Sequence, residues 1–216
     1  VDKLVGPGNR YVTEAKTLVS RDCAIDMQAG PTKLVVIADR HARWTAADLV
    51  AQAEHDPNAR SILLTTDAAF ARRVARELER IAAGTIAARS LTRNGAILVA
   101  RHRSQAAEIV NAVAPEHVMC DDEGMAKTIS NAGTVFVGRF SAPAAGDYAT
   151  GSNHVLPTSG AARFRGGLSA ADFVRVTSVQ RLTRDGLRAI APAVVALARA
   201  EGLDAHAASV LMRFQK

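Results

Sequence analysis

Apolar runs of strand length alternate with amphipathic stretches along the middle of this chain. Residues 34–38, 61–66, 96–100, 117–120 and 134–137 are short and almost wholly apolar. Between them, residues 46–55, 68–88, 104–113 and 122–132 repeat their apolar positions at helical spacing. Continuous apolar strands separated by amphipathic helices predict a parallel sheet covered on both faces. Ligands of such sheets bind beyond the carboxyl ends of the strands. Upstream, residues 1–5 and 24–27 read as short strands, and Asn9 as the N-cap of a helix over 10–19. Gly6-Pro7-Gly8 feeds that helix, an arrangement that presents free N–H groups to an anion.

The pattern stops over residues 139–167, which are rich in Gly, Ser, Pro and Thr. So long a stretch without structure is often functional. It is expected to carry Asp147 and His154 on loop backbone. Beyond it the chain turns helical: a short helix over 170–175, an extended piece over 179–182, then helices over 184–200 and 204–214 with Gly202 as the stop between them. A helical pair outside the sheet is well placed to clasp another subunit.

Composition narrows the classes. Aromatic residues are only 4% of the 216, which argues against a stacking platform for single-stranded nucleic acid. The net charge is +6, with arginines such as Arg72, Arg73, Arg76 and Arg80 spread along helix faces. They read as solvated faces with a secondary preference for anionic ligands. Two cysteines, Cys23 and Cys120, make neither a disulfide framework nor a Cys-rich zinc site, so a reducing, cytoplasmic setting is expected. No apolar run reaches membrane-spanning length, no signal peptide is expected, and neither nucleic acid nor membrane is an expected partner. The chain opens on Val1 without an initiator Met, so part of the natural protein is expected to precede it.

The candidate chemistry begins at Gln52-Ala53-Glu54-His55, placed in the last turns of a helix that Pro57 ends. Residues three apart share a helix face, so an amide oxygen and an imidazole nitrogen can hold one side of a divalent metal. Adjacent Glu116 and His117 offer two bases, which reach one site only from an irregular turn; Pro115 before them predicts one. Asp147, His154, Glu201 and His206 complete the candidates. A Gln/His/Asp/His set would suit zinc, with room for a substrate atom.

Six stretches, in this order, resemble the C-terminal half of the histidinol dehydrogenase family. They are VDKLVGPGNRYVTEAK from Val1, IDMQAGPTKLVVIAD from Ile25, DLVAQAEHDP from Asp48, APEH from Ala114, GDYATGSNHVLPTSG from Gly146 and EGLDAH from Glu201. Enzymes of that family are about twice as long. The resemblance implies an incomplete Rossmann-like, mostly parallel sheet flanked by helices, with a C-terminal helical extension. Residues 1–31 would end an NAD-binding domain, 32–167 form the catalytic zinc domain and 168–216 a dimerisation segment.

By the same resemblance, Gln52, His55 and Asp147 are zinc ligands, and His206 is the fourth, given by the partner in a homodimer. Glu116 and His117 are the acid/base pair. Substrate contacts fall at Thr32, Gln52, His55, His117, Asp147, Glu201 and His206, with Glu201 also crossing the interface, and an NAD contact falls at Asn9. The implied reaction is zinc-dependent oxidation of L-histidinol to L-histidine with two NAD. Thr32 stands where the family usually has Ser, and Lys33 where an acidic residue is usual. Lys33 keeps a polyol or sulfonated diol as an alternative substrate, and a half-length binding module without turnover is the alternative from another class.

Overall fold

The computed structural model describes residues 1–6 and 8–215, with Arg10 through its backbone alone. Pro7 of the predicted turn therefore lies outside the described residues. The chain divides into two compact units, Val1–Phe173 and Val174–Lys216.

The first unit contains a small parallel pair, β1 (Lys3–Leu4) and β2 (Ala24–Ile25), joined by helix α1 (Arg10–Val19). Asn9 caps α1 as its residue type predicts: its side-chain oxygen accepts from the N–H of Tyr11 at 3.0 Å and of Val12 at 3.3 Å. Lys16 reaches back to Asp26, just after β2, with 2.8 Å between Nζ and Oδ1. Lys16 also donates to the Gly6 carbonyl, while the N–H groups of Gly6 and Met27 donate to Asp26. Burial alone would push the Asp26 carboxyl up, but these donors outweigh it and hold it below its ordinary value.

The main sheet holds β3 (Lys33–Ile37), β4 (Arg60–Thr65), β5 (Ala96–Val99), β6 (His117–Cys120) and β7 (Thr134–Val137). All pairings are parallel and the order is β5-β4-β3-β6-β7, so the winding reverses between β3 and β6. Strand alternation makes two cores. Leu34 and Val36 join Leu49, Phe70 and Val74 on one face, and Val35 and Ile37 join Val110 and Val118 on the other. The first face is covered by α2 (Ala42–Ala53) and α3 (Ala68–Ala82), the second by α5 (Arg103–Val113) and the single turn α6 (Glu123–Ala126).

Several predicted bounds are corrected. The helix expected over 68–88 is two, α3 and α4 (Ile86–Asn94), because Gly84 takes a φ of +72° that no helix contains. The helix expected over 122–132 stops at Ala126. Asn111 accepts the N–H groups of Ser130 and Asn131 and draws that segment away from helical bonding. The stretch 139–167 is not structureless. It holds α7 (Pro143–Tyr148), opened by a proline at its first turn, and a 3₁₀ turn at Ala161–Arg163. The expected helix over 170–175 is a 3₁₀ turn, Ala170–Phe173, and no strand forms over 179–182.

In the second unit, α8 (Arg184–Ala200) starts at Thr183, whose side chain accepts the Gly186 N–H at 3.0 Å. Helix α9 (Asp204–Leu211) follows, and the alanines Ala198 and Ala207 are buried on the pair. Gly202 stops α8 as expected, with φ +73°. Among the described residues no helix is long and apolar enough to cross a membrane.

The Lys16–Asp26 pair generates a stability prediction. Lys16→Met leaves a fully buried carboxylate without its cation and should cost about 3–5 kcal/mol in urea unfolding. Because the Asp26 pKa is depressed in the fold, its stabilising effect is present above the ordinary carboxylate value and is lost as pH falls through the folded one. The stability gap between wild type and Asp26→Asn should therefore narrow in acid, below about pH 4.

Candidate active site

Parallel neighbours bring their ends together. The register sets Leu34 of β3 opposite His117 of β6, which brings Thr32, just before β3, within side-chain reach of Glu116, just before β6. Thr32 donates its hydroxyl to Oε2 of Glu116. Gln52, in the last turn of α2, donates from Nε2 to the Thr32 hydroxyl at 2.5 Å. That bond fixes the amide: its nitrogen is committed to Thr32, and its oxygen has no hydrogen bond among the described residues.

Helix α2 ends at Ala53, with Glu54 as its C-cap, so His55 lies past the helix and not on it. The Asp56 carboxylate then accepts the Asn58 N–H at 2.6 Å and turns the chain toward β4. Across the cavity, α7 presents Asp147, whose Oδ2 lies 3.7 Å from His55 Nε2. Gly146 lets α7 come this close, since a Cβ there would lie 2.5 Å from the Phe136 ring.

Ala114 takes a left-handed conformation (φ 46°) before Pro115, which supplies the irregular turn that the acid/base pair needs. Glu116 and His117 are both buried and both line one cavity. Burial pushes the Glu116 carboxyl up to about 7; the Thr32 hydroxyl and the Lys33 N–H oppose this, and the Asp147 charge adds to it. Burial holds the His117 imidazole below its ordinary value, against the pull of Asp147 and with help from His55. His117 Nδ1 is buried with no hydrogen-bond partner, and its ring lies 5.7 Å from that of Phe136. One side chain is thus a carboxyl that titrates near neutral pH, and the other an imidazole kept neutral.

The cavity has a volume of 690 Å³, ample for a small substrate. It brings together Asn9, Thr32, Gln52, His55, Glu116, His117, Asp147 and His154 of the predicted set. Glu201, the C-cap of α8, and His206, in the first turn of α9, are exposed and belong to the second unit. Thr13, Asp56, Asn58 and Tyr148 also line the cavity and were not foreseen. Asp56 and Tyr148 were within reach of inference, as chain neighbours of His55 and Asp147. Thr13 had no signal, because its side of α1 is fixed only by packing.

Strand order corrects one expectation. Every wall named above lies at the amino ends of β3 and β6, not beyond the carboxyl ends. Among the described residues no group of three or more His, Cys, Asp or Glu is placed to hold a metal. The Asp147 carboxylate and the His55 imidazole lie 3.7 Å apart, and Gln52 lines the same cavity with an amide oxygen to offer. Two oxygens and an imidazole nitrogen are donor types zinc accepts, so the chemistry of these side chains fits a zinc ion.

Fold and site together define a Rossmann-like α/β protein with a buried carboxyl and imidazole side by side in a polar cavity at the amino edge of its sheet. A family model described as histidinol dehydrogenase matches residues 1–214. The chain is 52% identical over 225 residues to a histidinol dehydrogenase of Gluconobacter oxydans, covering 100% of this chain and 52% of that protein. It is 49% identical over 224 residues to one of Haloarcula marismortui, covering 99% of this chain and 53% of that one. The crystal structure of histidinol dehydrogenase from Elizabethkingia anophelis superposes with a TM-score of 0.93 at 38% identity, over 100% of this chain and 52% of that one. The chain belongs to the histidinol dehydrogenase family, and it spans about half the length of the relatives it matches.

The Thr32 bonds generate a prediction for the site. Thr32→Val removes a donor that lowers the Glu116 pKa, so that pKa should move above about 7. It also strands a buried donor and acceptor, which should cost about 1–3 kcal/mol. Thr32→Ser keeps the hydroxyl and should leave both quantities near wild type. Carboxyl-¹³C titration of labelled glutamate checks the shift; a Glu116 resonance that titrates unchanged in Thr32→Val contradicts the assignment.

Proposed function

We propose that this chain carries the metal- and substrate-binding half of a zinc-dependent, NAD-linked oxidation of L-histidinol to L-histidine. The observation that carries the reading is the pairing of Glu116 with His117 in a cavity that also holds Gln52, His55 and Asp147. Lys33 is not among the residues that line that cavity, although its N–H reaches Glu116.

Gln52, His55 and Asp147 would hold the metal, with His206 from a partner subunit as the fourth ligand. Zinc bound there supplies a Lewis acid beside the substrate hydroxyl. NAD, when bound, would supply the hydride acceptor for both oxidations, and Asn9 would contact it. His117, with its pKa held below the ordinary value, would take the hydroxyl proton of the alcohol. Glu116, with its pKa near 7, would take a proton from the water that adds to the aldehyde. The sum would be histidinol, water and two NAD+ giving histidine, two NADH and three protons. Glu201 and His206 would complete the substrate site across a homodimer, and residues 1–31 would continue an NAD-binding domain.

The division of labour predicts asymmetric variants, assayed in this chain joined to the N-terminal half of the Gluconobacter oxydans relative. Glu116→Gln should still form one NADH per site from histidinol in rapid mixing, while histidinal oxidation falls by about 10²–10⁴-fold. His117→Asn should be slowed first at the alcohol. Equal losses on alcohol and aldehyde in both variants would reduce the pair to a positioning role. No NADH from histidinol in the unaltered joined protein would sink the assignment itself.

A further inference from the structure

The arginines of α3 take no part in the site described so far. Arg73 and Arg76 face the first turn of α2, and between the helices lies a groove of 460 Å³. His41, Arg43 and Trp44 form its other wall, and Glu77 is its only carboxylate. Glu77 is already bound by Arg80, 2.8 Å away, outside the groove. Arg73 has a partner in Asp67 at 3.4 Å, while Arg43 and Arg76 have no acidic partner among the described residues. The groove therefore carries uncompensated positive charge.

The groove also has an aromatic wall. Trp44 is the only tryptophan in the chain and is 47% exposed. The His41 ring stacks on it with centroids 4.8 Å apart and planes 16° apart, and the exposed Phe140 ring, outside the groove, lies tilted 6.2 Å from it. A polar-rimmed aromatic stack left open to water next to three guanidinium groups suits a flat ring that bears phosphates. The groove lies between the start of α2 and α3, apart from the cavity at the amino ends of β3 and β6. The loop after β3, Ala38-Asp39-Arg40-His41, has no glycine, so no backbone cradle exists and the anion-binding groups are the guanidinium forks.

We propose that this groove binds a nucleoside polyphosphate, with its phosphates on Arg43, Arg73 and Arg76 and its base against the His41–Trp44 stack. The site is separate from the acid–base cavity and does not depend on how that cavity is read.

Trp44, as the sole indole, reports on the groove directly. The full 216-residue chain is titrated with ATP, and with tripolyphosphate as the phosphate-only control. ATP should change Trp44 fluorescence saturably with half-saturation below about 1 mM, weakening as salt is raised. Arg43→Gln and Arg76→Gln should each weaken binding about tenfold with unchanged thermal unfolding, whereas Arg93→Gln on α4 should not. His55→Ala, in the other cavity, should bind ATP as wild type does. Absence of a saturable change overturns the proposal, as does a half-saturation insensitive to Arg76→Gln or a signal lost in His55→Ala. Tripolyphosphate binding as tightly as ATP would remove the base contact and overturn the nucleotide assignment.

Discussion

The buried carboxyl of Glu116 is met by the Thr32 hydroxyl and by the Lys33 N–H. Thr32 donates to Glu116 and accepts from Gln52, so a single oxygen ties the amino ends of β3 and β6 to the end of α2. The rest of the site follows from that junction. It commits the Gln52 amide nitrogen and tempers the upward push that burial exerts on the Glu116 carboxyl. A one-residue slip between β3 and β6 would turn His117 to the other face of the sheet and part Thr32 from Glu116. Leu34, Val35 and Val36, all buried on the two faces of β3, fix the register against that slip.

The junction also explains why the chemistry sits at the amino edge. In doubly wound sheets the open crevice at the carboxyl edge is usually the ligand site. Here the amino edge is walled by segments from outside the alternating strands and helices: Gly8, Asn9 and Thr13 around the start of α1, the Ala29–Thr32 turn, and α7 with Asp147. These bring cavity depth and polar groups to the edge that would otherwise be bare strand ends. The arginines and the tryptophan of the groove between α2 and α3 lie apart from that edge.

Much of this was legible in the amino-acid pattern because it was local. Asn9 capping α1, the apolar runs of β3 through β7, and the Pro115 turn beneath Glu116 and His117 each rest on side chains a few residues apart. What stayed hidden was tertiary. Nothing in residues 68–88 weakens a helix except Gly84, a residue tolerated inside many helices, and only its positive φ shows the break. Helix α7 was hidden by its Gly and Pro, which read as loop; Pro143 starts it and Gly146 seats it on Phe136. That β3 and β6 are neighbours, which joins Thr32 to Glu116, follows from strand order, which periodicity does not specify. The family resemblance supplied His206 and Glu201, which no local pattern would have joined to the first unit's residues.

The central claim is that Gln52, His55 and Asp147 form one half of a zinc site beside the Glu116–His117 pair. Anomalous diffraction at the zinc edge from crystals of the zinc-loaded protein tests it most directly. The account predicts a peak within about 2.0–2.2 Å of a His55 ring nitrogen, the Gln52 amide oxygen and an Asp147 oxygen. A peak held by other residues, such as His154, or none in that cavity at full zinc loading, would contradict it.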